Sequence, residues 1–370
     1  MGTSEYAQAG VDYTLIEPFK RHMIEVGRQT LAFPFIKHNV MVRSAEHGAV
    51  FEYRGTRPHR FCSVLEGLGN LNWIAEWMYE FSGTGKTYYD VIARAAALII
   101  AIDVIAQGAR PVLWEDGVSA GDSEWFADEK RRDDYGKGAL AVCRELGMAL
   151  PAGESPSLKY IIKAHPPVVS CPDLMGQITG IIVPRGQEIK SDRMKVGDSI
   201  LVCPSTGLGA NGISLVIKRA LDLPEQFLTR LPTGRTLGEE CLIPIRSYAA
   251  LVAALLDNEV AIHNILPATG DGVGKLAFDK RSFNYRIHSW VPVPPLFRYM
   301  RELGVTLSNC LKTFNWGAGI YFFVSPSEVE RAIFVANAAG YELVEVGCVE
   351  EGERQVIFEP EGITLPPPGQ

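Results

Sequence analysis

Apolar residues recur at helical spacing early in the chain. Leu15, Phe19, Met23 and Val26 fall three or four apart and predict an amphipathic helix over residues 11–29. A mixed region, 33–60, leads into the apolar run 61–65, read as a strand, and then into a helix over 72–80. The segment 88–107 closes at Gly108 and is apolar on every side between Ala95 and Ala106, so this helix has to be buried. A short strand at 111–114 running into a turn, a helix over 122–147 whose second half turns apolar, a strand-then-turn at 150–155 and an apolar strand at 174–184 follow. Periodicity is lost over 185–198, which places a domain boundary there and predicts two domains, 1–185 and 186–370. The second half reads as strand 199–204, glycine-rich turn 205–212, helix 214–221, helix 245–256 and strand 260–265. A glycine turn, 269–274, opens a helix from Lys275, and Pro292, Pro294 and Pro295 lead into a helix over 296–303. After strand 320–324, Ser325 reads as N-cap, Pro326 as N1, Glu328 as N3 and Gly340 as the residue past the helix end. Strands over 341–349 and 354–359 finish the pattern, and both halves mix helices with strands: an α+β or α/β two-domain protein.

Composition narrows the function classes. A chain of 370 residues suits about two domains. Lys+Arg 36 against Asp+Glu 43 gives a net charge of −7, and the longest basic cluster, Lys130-Arg131-Arg132, is followed at once by Asp133-Asp134. Duplex nucleic acid is therefore excluded as the main partner, because tracking phosphates needs a basic face. The longest apolar run, 95–102, is flanked by Arg94 and Asp103, too short to span a membrane. Residues 1–12 lack the order of a signal peptide, which points to a cytoplasmic protein. The seven cysteines form no C-x-x-C pair and read as buried thiols rather than a zinc site or a disulfide framework.

Candidate chemistry begins with acids. Asp103 sits within the all-apolar helix, where a carboxylate has to meet a cation, a metal or donors. Glu66 follows a strand and precedes Gly67-Leu68-Gly69, and Glu154 follows Pro151-Ala152-Gly153. Together Glu66, Asp103 and Glu154 suit a Mg²⁺ site with a catalytic role. Glu115-Asp116 either contributes to that site or, the commoner explanation, is a pair of exposed turn acids. Thr206 precedes Gly207-Leu208-Gly209-Ala210-Asn211-Gly212, which matches G-x-G-x-x-G between a strand and a helix. The acid expected about 20 residues later in a dinucleotide site is missing, which leaves a phosphate cradle at a helix start. Gly270-Asp271-Gly272-Val273-Gly274-Lys275, after Thr269, is a second candidate anion cradle, and the glycines of 313–319 read as tight packing. Gly83-Thr84-Gly85-Lys86-Thr87 imitates a P-loop, but Glu80 stands where its first glycine belongs, so it reads as a turn.

In order along the chain, Gly10-Val11-Asp12, Glu66-Gly67-Leu68-Gly69, Asp103 before Gln107-Gly108-Ala109, Gly153-Glu154-Ser155, Ser205-Thr206-Gly207 with Asn211-Gly212-Ile213-Ser214-Leu215, Pro244-Ile245-Arg246-Ser247-Tyr248 and Thr313-Phe314-Asn315 resemble the aminoimidazole ribonucleotide synthetase (phosphoribosylformylglycinamidine cyclo-ligase) family. The resemblance spans residues 10–359. It implies an N-terminal ATP- and metal-binding domain that forms a shared β-barrel in a homodimer, and a C-terminal α/β domain with a mixed sheet. It further implies ATP and Mg²⁺ as cofactors and a small ribonucleotide as substrate, in purine biosynthesis. The nucleotide would be held by Gly67, Gly69, Thr206, Gly207, Asn211, Gly212, Thr269, Gly270 and Asp271. Gly48 would join them, in the remnant Ala45-Glu46-His47-Gly48-Ala49 of the family's glycine-rich covering loop. Where the family usually has Asp-Gly-x-Gly-Thr-Lys, this chain has Glu66-Gly67-Leu68-Gly69-Asn70-Leu71. Two other readings stay open: a non-catalytic ribonucleotide-binding paralogue, and another ATP-dependent phosphoryl transferase of the same superfamily, which includes selenophosphate synthetase and thiamine-monophosphate kinase.

Overall fold

The computed structural model describes Ala7, residues 9–45 and residues 48–369, so Glu46 and His47 of the covering-loop remnant lie outside the described residues. It separates into two compact units, one of residues 1–104 with Ala109–Arg185 and one of Ile105–Gly108 with Gly186–Gln370. Among the described residues no helix is long and apolar enough to cross a membrane.

The first unit holds helices α1 (Tyr13–Thr30), α2 (Phe33–His38), α3 (Leu71–Phe81), α4 (Tyr89–Ala106) and α5 (Glu129–Leu146). Its strands are β1 (Val40–Ala45), β2 (Gly48–Tyr53), β3 (Arg60–Gly67), β4 (Arg110–Ser119), β5 (Ala149–Glu154) and β6 (Asp173–Ile182). β1 and β2 form a hairpin, and the other four form a sheet in the order β3-β6-β4-β5. α4 is buried along its length, as its composition requires, because it lies on one face of this sheet. Gly180 of β6 makes that approach possible: a Cβ there would stand 2.4 Å from Val104 of α4. The opposite face carries Val40 and Val42 of the hairpin against Leu113 and Ile181. The rest of that face is open. Phe61, Leu65 and Met175 alternate onto it at 43, 63 and 45 % exposure.

One departure from the sequence pattern matters for function. β4 runs on to Ser119, so Glu115 and Asp116 are strand residues and not turn acids, and Asp116 is 8 % exposed. Tyr135 of α5 accounts for this. It reaches the strand and donates its hydroxyl to Asp116 Oδ2 at 2.8 Å, which makes a polar residue tolerable inside.

A second buried acid lies on α3. Glu76 is fully buried, and its Oε1 accepts from Tyr89 and from Trp125 Nε1, each at 2.6 Å. Its Oε2 accepts from Arg131 at 2.6 and 3.2 Å, which ties α3, α4 and α5 together.

The second unit contains β7 (Ser199–Pro204), α6 (Ile213–Leu221), α7 (Leu237–Cys241), α8 (Ala249–Asp257), β8 (Ile262–Pro267), β9 (Phe283–Ile287), α9 (Pro295–Glu302), α10 (Leu307–Thr313), β10 (Ala318–Val324), α11 (Val329–Ala338), β11 (Val344–Glu351), β12 (Gln355–Phe358) and β13 (Ile363–Leu365). Its seven strands form a mixed sheet in the order β13-β12-β9-β11-β7-β10-β8, with β12 and β9 parallel. β7 and β10 are buried from end to end apart from Pro204, as expected for central strands. The helix expected from Lys275 is instead a 3₁₀ segment beginning at Gly272, which is pressed against the carbonyls of Leu311 and Phe314. Ser325 does not cap: its hydroxyl bonds Ser327, a 3₁₀ turn intervenes, and α11 starts at Val329.

Removing the Glu76 carboxylate would take away the nearer partner of Arg131, leaving Asp128 at 3.4 Å, and would leave the donors of Tyr89 and Trp125 unmet. We expect Glu76→Ala to cost about 3–5 kcal/mol in urea unfolding, the range for breaking a buried ion pair. A loss below about 1 kcal/mol would show that these bonds do not hold the helices together.

Candidate functional site

In the second unit the topology gathers the three glycine-rich turns. β10 runs antiparallel between β7 and β8, with Ala318 opposite Pro204 and Ile320 opposite Pro267. The loops leaving β7 and β8 and the loop entering β10 therefore meet at one end of the sheet. Two buried asparagines lock them. Asn211 Nδ2 donates to Ala268 O at 2.8 Å and its Oδ1 accepts from Gly270 N at 2.7 Å. Asn315 Nδ2 donates to Gly207 O at 2.9 Å, while its Oδ1 accepts from Gly317 N and from Ser205 Oγ.

Each predicted residue of this cluster has a definite place. Thr206 is exposed and donates to Pro244 O, and Gly212 is the left-handed N-cap of α6. Thr269 Oγ1 accepts from Lys275, Asp271 is exposed with φ 52°, and Gly270 has open space where a side chain would be. The glycines of 313–319, read as packing, prove to flank the Asn315 clamp.

In the first unit the three acids do not come together. Register runs Glu66, Gly176, Asp116, Gly153 across β3, β6, β4 and β5, with Glu154 one residue further along β5. Glu66 and Glu154 thus stand on the two edge strands, three spacings or roughly 14 Å apart. Asp103 is half-buried on α4 and has partners of its own. Among the described residues no three His, Cys, Asp or Glu side chains are grouped to hold a metal ion. Within one chain, then, the three acids form no cage among the described residues, and sheet geometry sets Glu66 and Glu154 apart. Gly67 and Gly69 stand at the exit of β3, and Gly48 opens β2 with free space around it.

Glu154 has different company. A cavity of about 620 Å³ lies between α1, β1, β4 and β5, and Glu154 is on its wall. Phe19, Met23, Leu31, Val42, Val118 and Leu150 supply an apolar lining, while Lys20, Arg28 and Arg43 supply three cations. Lys20 Nζ is 3.8 Å from Glu154 Oε1, which also accepts from Ser155 N at 2.9 Å. α1 can lie this close because Gly27 has no Cβ; one would stand 2.4 Å from Leu150 O. Thr30 stitches the same edge, its hydroxyl accepting from Leu150 N at 2.8 Å. Such a cavity has the size and mixed character of a small-molecule site. The sequence reading missed it, although Lys20, Ile24 and Arg28 repeat at four-residue spacing beside the core stripe and all line it.

Asp116 also lines the cavity. Burial pushes its carboxyl up to about 7, against which the Tyr135 hydroxyl and the nearby Gly117 amide act only in part. No hydrogen bond of ordinary geometry reaches its Oδ1.

A carboxyl raised in the folded state favours folding below its unfolded pKa, and that advantage disappears as pH climbs through the folded value. Asp116→Asn, which keeps an acceptor for Tyr135, should therefore match wild type near pH 4 and exceed it at about pH 8, by on the order of 4 kcal/mol. Denaturant midpoints at the two pH values measure this; a difference that does not change with pH would place the titration elsewhere.

No family model matches the chain. Among curated proteins it is 32% identical to the phosphoribosylformylglycinamidine cyclo-ligase of Alkaliphilus oremlandii over 277 residues, covering 73% of this chain and 78% of that one. The same-named proteins of Lactobacillus acidophilus and Thermococcus gammatolerans are 28% and 29% identical, covering 96% and 97% of this chain and 100% and 99% of theirs. Among solved structures, the hydrogenase maturation protein HypE of E. coli aligns with a TM-score of 0.60 at 17% identity, covering 95% of this chain and 98% of that one. Thiamine-monophosphate kinase from Stenotrophomonas maltophilia K279a aligns at 0.60 and 18%, covering 92% and 97%. HypE in complex with ATP aligns at 0.60 and 16%, covering 97% and 95%. These likenesses establish the two-domain fold.

Proposed function

Because the chain belongs to the phosphoribosylformylglycinamidine cyclo-ligase family, we propose that it is the ATP-dependent enzyme that closes the imidazole ring of a formylglycinamidine ribonucleotide, in the cytoplasm and as a step of purine biosynthesis. The γ-phosphoryl group of ATP passes to the formyl amide oxygen, the amidine nitrogen attacks the activated carbon, and the new C–N bond forms as phosphate leaves and a proton is lost. Protein groups contribute mainly by positioning and by meeting charge.

The observation that carries this reading is the cavity on α1. Its apolar lining suits a base and its three cations suit a polyphosphate. Magnesium that arrives with a triphosphate needs only one or two protein carboxylates, and Glu154 is the one we assign to it. In the second unit, the turns clamped by Asn211 and Asn315 and the amide-rich start of α6 are the part we assign to the ribonucleotide phosphate.

We further propose a homodimer closed over the open face of the first unit. Phe61, Leu65 and Met175 on that face, with Phe51 packed on Phe61 at 5.6 Å, form an exposed apolar surface of the kind that marks an interface.

A coupled assay with ATP and the ribonucleotide tests the reaction. Mg-ATP at a hundredfold excess over its Kd should add about 2.7 kcal/mol to stability, and Lys20→Glu with Arg28→Glu should erase that gain. A thermal shift that survives the double charge reversal would place ATP outside this cavity. For the dimer, light scattering at micromolar concentration should give twice the chain mass, and Leu65→Glu with Met175→Glu should halve it; a monomer in the wild type rejects the interface.

A further inference from the structure

The glycine-rich turns of the second unit carry little charge. Over 205–212, 269–275 and 313–319 the only acidic or basic side chains are Asp271 and Lys275. The two are not spent on each other. Lys275 Nζ donates to Thr269 O and, at 2.9 Å, to Thr269 Oγ1. Asp271 is exposed, and among the described residues no ion pair or hydrogen bond engages its carboxylate. Its main chain is nonetheless fixed from both sides. Gly270 N is held by Asn211 Oδ1 at 2.7 Å, and a Cβ on Gly272 would stand 2.3 Å from Leu311 O. Asp271 itself has φ 52°, in the left-handed region that glycine enters without steric cost and other residues do not. A carboxylate is thus presented from a rigid turn, beside the open space at Gly270, at the end of the sheet where the three turns meet.

The substrate of the proposed reaction has one group that answers such a carboxylate. Its phosphate is an anion and is repelled. Its ribose hydroxyls and formyl amide are neutral donors. Its amidine is a strong base, cationic in neutral water, and a hydrogen bond to an ionised donor is roughly twice as strong as one between neutral groups. An amidinium also offers two parallel N–H groups to the two carboxylate oxygens, as a guanidinium does. A metal ion held by protein side chains fits less well, since among the described residues no three His, Cys, Asp or Glu are grouped to hold one. We propose that Asp271 is a specificity-determining residue that binds the cationic amidine of the ribonucleotide, so that the second unit distinguishes an amidine from the corresponding neutral amide. This rests on the cyclo-ligase reading and adds to it the group that recognises the amidine.

The test compares the amidine ribonucleotide with its amide counterpart, which has oxygen in place of the amidine nitrogen and the same ribose phosphate. Binding is measured by titration calorimetry with Mg²⁺ and a non-hydrolysable ATP analogue present. The wild type should bind the amidine about 10-fold more tightly, and the preference should shrink as salt rises from about 0.05 to 0.5 M. Asp271→Asn suits the left-handed backbone and should bring the two ligands within about threefold by weakening the amidine alone. Ribose 5-phosphate, which has neither group, should bind both proteins equally, which shows that the variant is folded. Equal wild-type affinities, or a preference that persists in Asp271→Asn, overturn the proposal; a positive coupled assay then leaves the cyclo-ligase reading standing. If the coupled assay is negative and neither ribonucleotide binds, the reading and the proposal fall together.

Discussion

A carboxylate removed from water has to be met by donors, and the first unit contains two such groups with opposite outcomes. Glu76 is met by Tyr89, Trp125 and two nitrogens of Arg131, so both its oxygens find donors within the protein even though burial still raises its carboxyl. Nothing is left for a ligand, and the residue ties helices together. Asp116, beside a cavity, has a side-chain donor at one oxygen only. The same physical cost thus has two outcomes in one unit: an acid that ties helices together, and one whose carboxyl burial pushes up to about 7. Burial alone does not separate them, and neither does residue type; the count of donors does.

The long elements were legible because their patterns were unambiguous. The all-apolar stretch around Ala95–Ala106 could only be a buried helix, and β7 was bounded by its composition on both sides. Asp116 was misread for a local reason: an acid pair followed by glycine has turn chemistry, and only the distant Tyr135 hydroxyl makes it viable inside a strand. The cavity was invisible for a related reason. Lys20 and Arg28 look like the solvated face of an amphipathic helix, and their convergence with Arg43 and Glu154 depends on how closely Gly27 lets α1 approach β5. Tertiary approach distances of this kind leave no periodic trace in a sequence.

In the second unit the sequence pointed to three separate glycine turns without saying that they were one site. Strand order supplies that step. With β10 antiparallel between β7 and β8, loops separated by up to about a hundred residues emerge side by side, and two asparagines convert proximity into rigidity. Asparagine suits this task because one side chain offers both a donor pair and an acceptor, enough to bridge two main-chain segments at once. The glycines then permit the backbone paths, and at Gly270 they leave space beside a main chain that is already fixed.

The acids of the first unit impose the remaining constraint. Strands in a sheet are held at a fixed spacing, so residues on opposite edges of a four-stranded sheet cannot share an ion, whatever their order in the sequence suggests. Glu66 and Glu154 are such a pair. Any chemistry that used both would need two sheets, with the edge of one brought near the opposite edge of another. The open face bearing Phe61, Leu65 and Met175 lies between those same edges, and covering it with a second copy is how an apolar surface of this kind is removed from water. The separation of the acids and the exposure of the face are therefore two consequences of one cause, a four-stranded sheet whose second face is only partly covered within the chain.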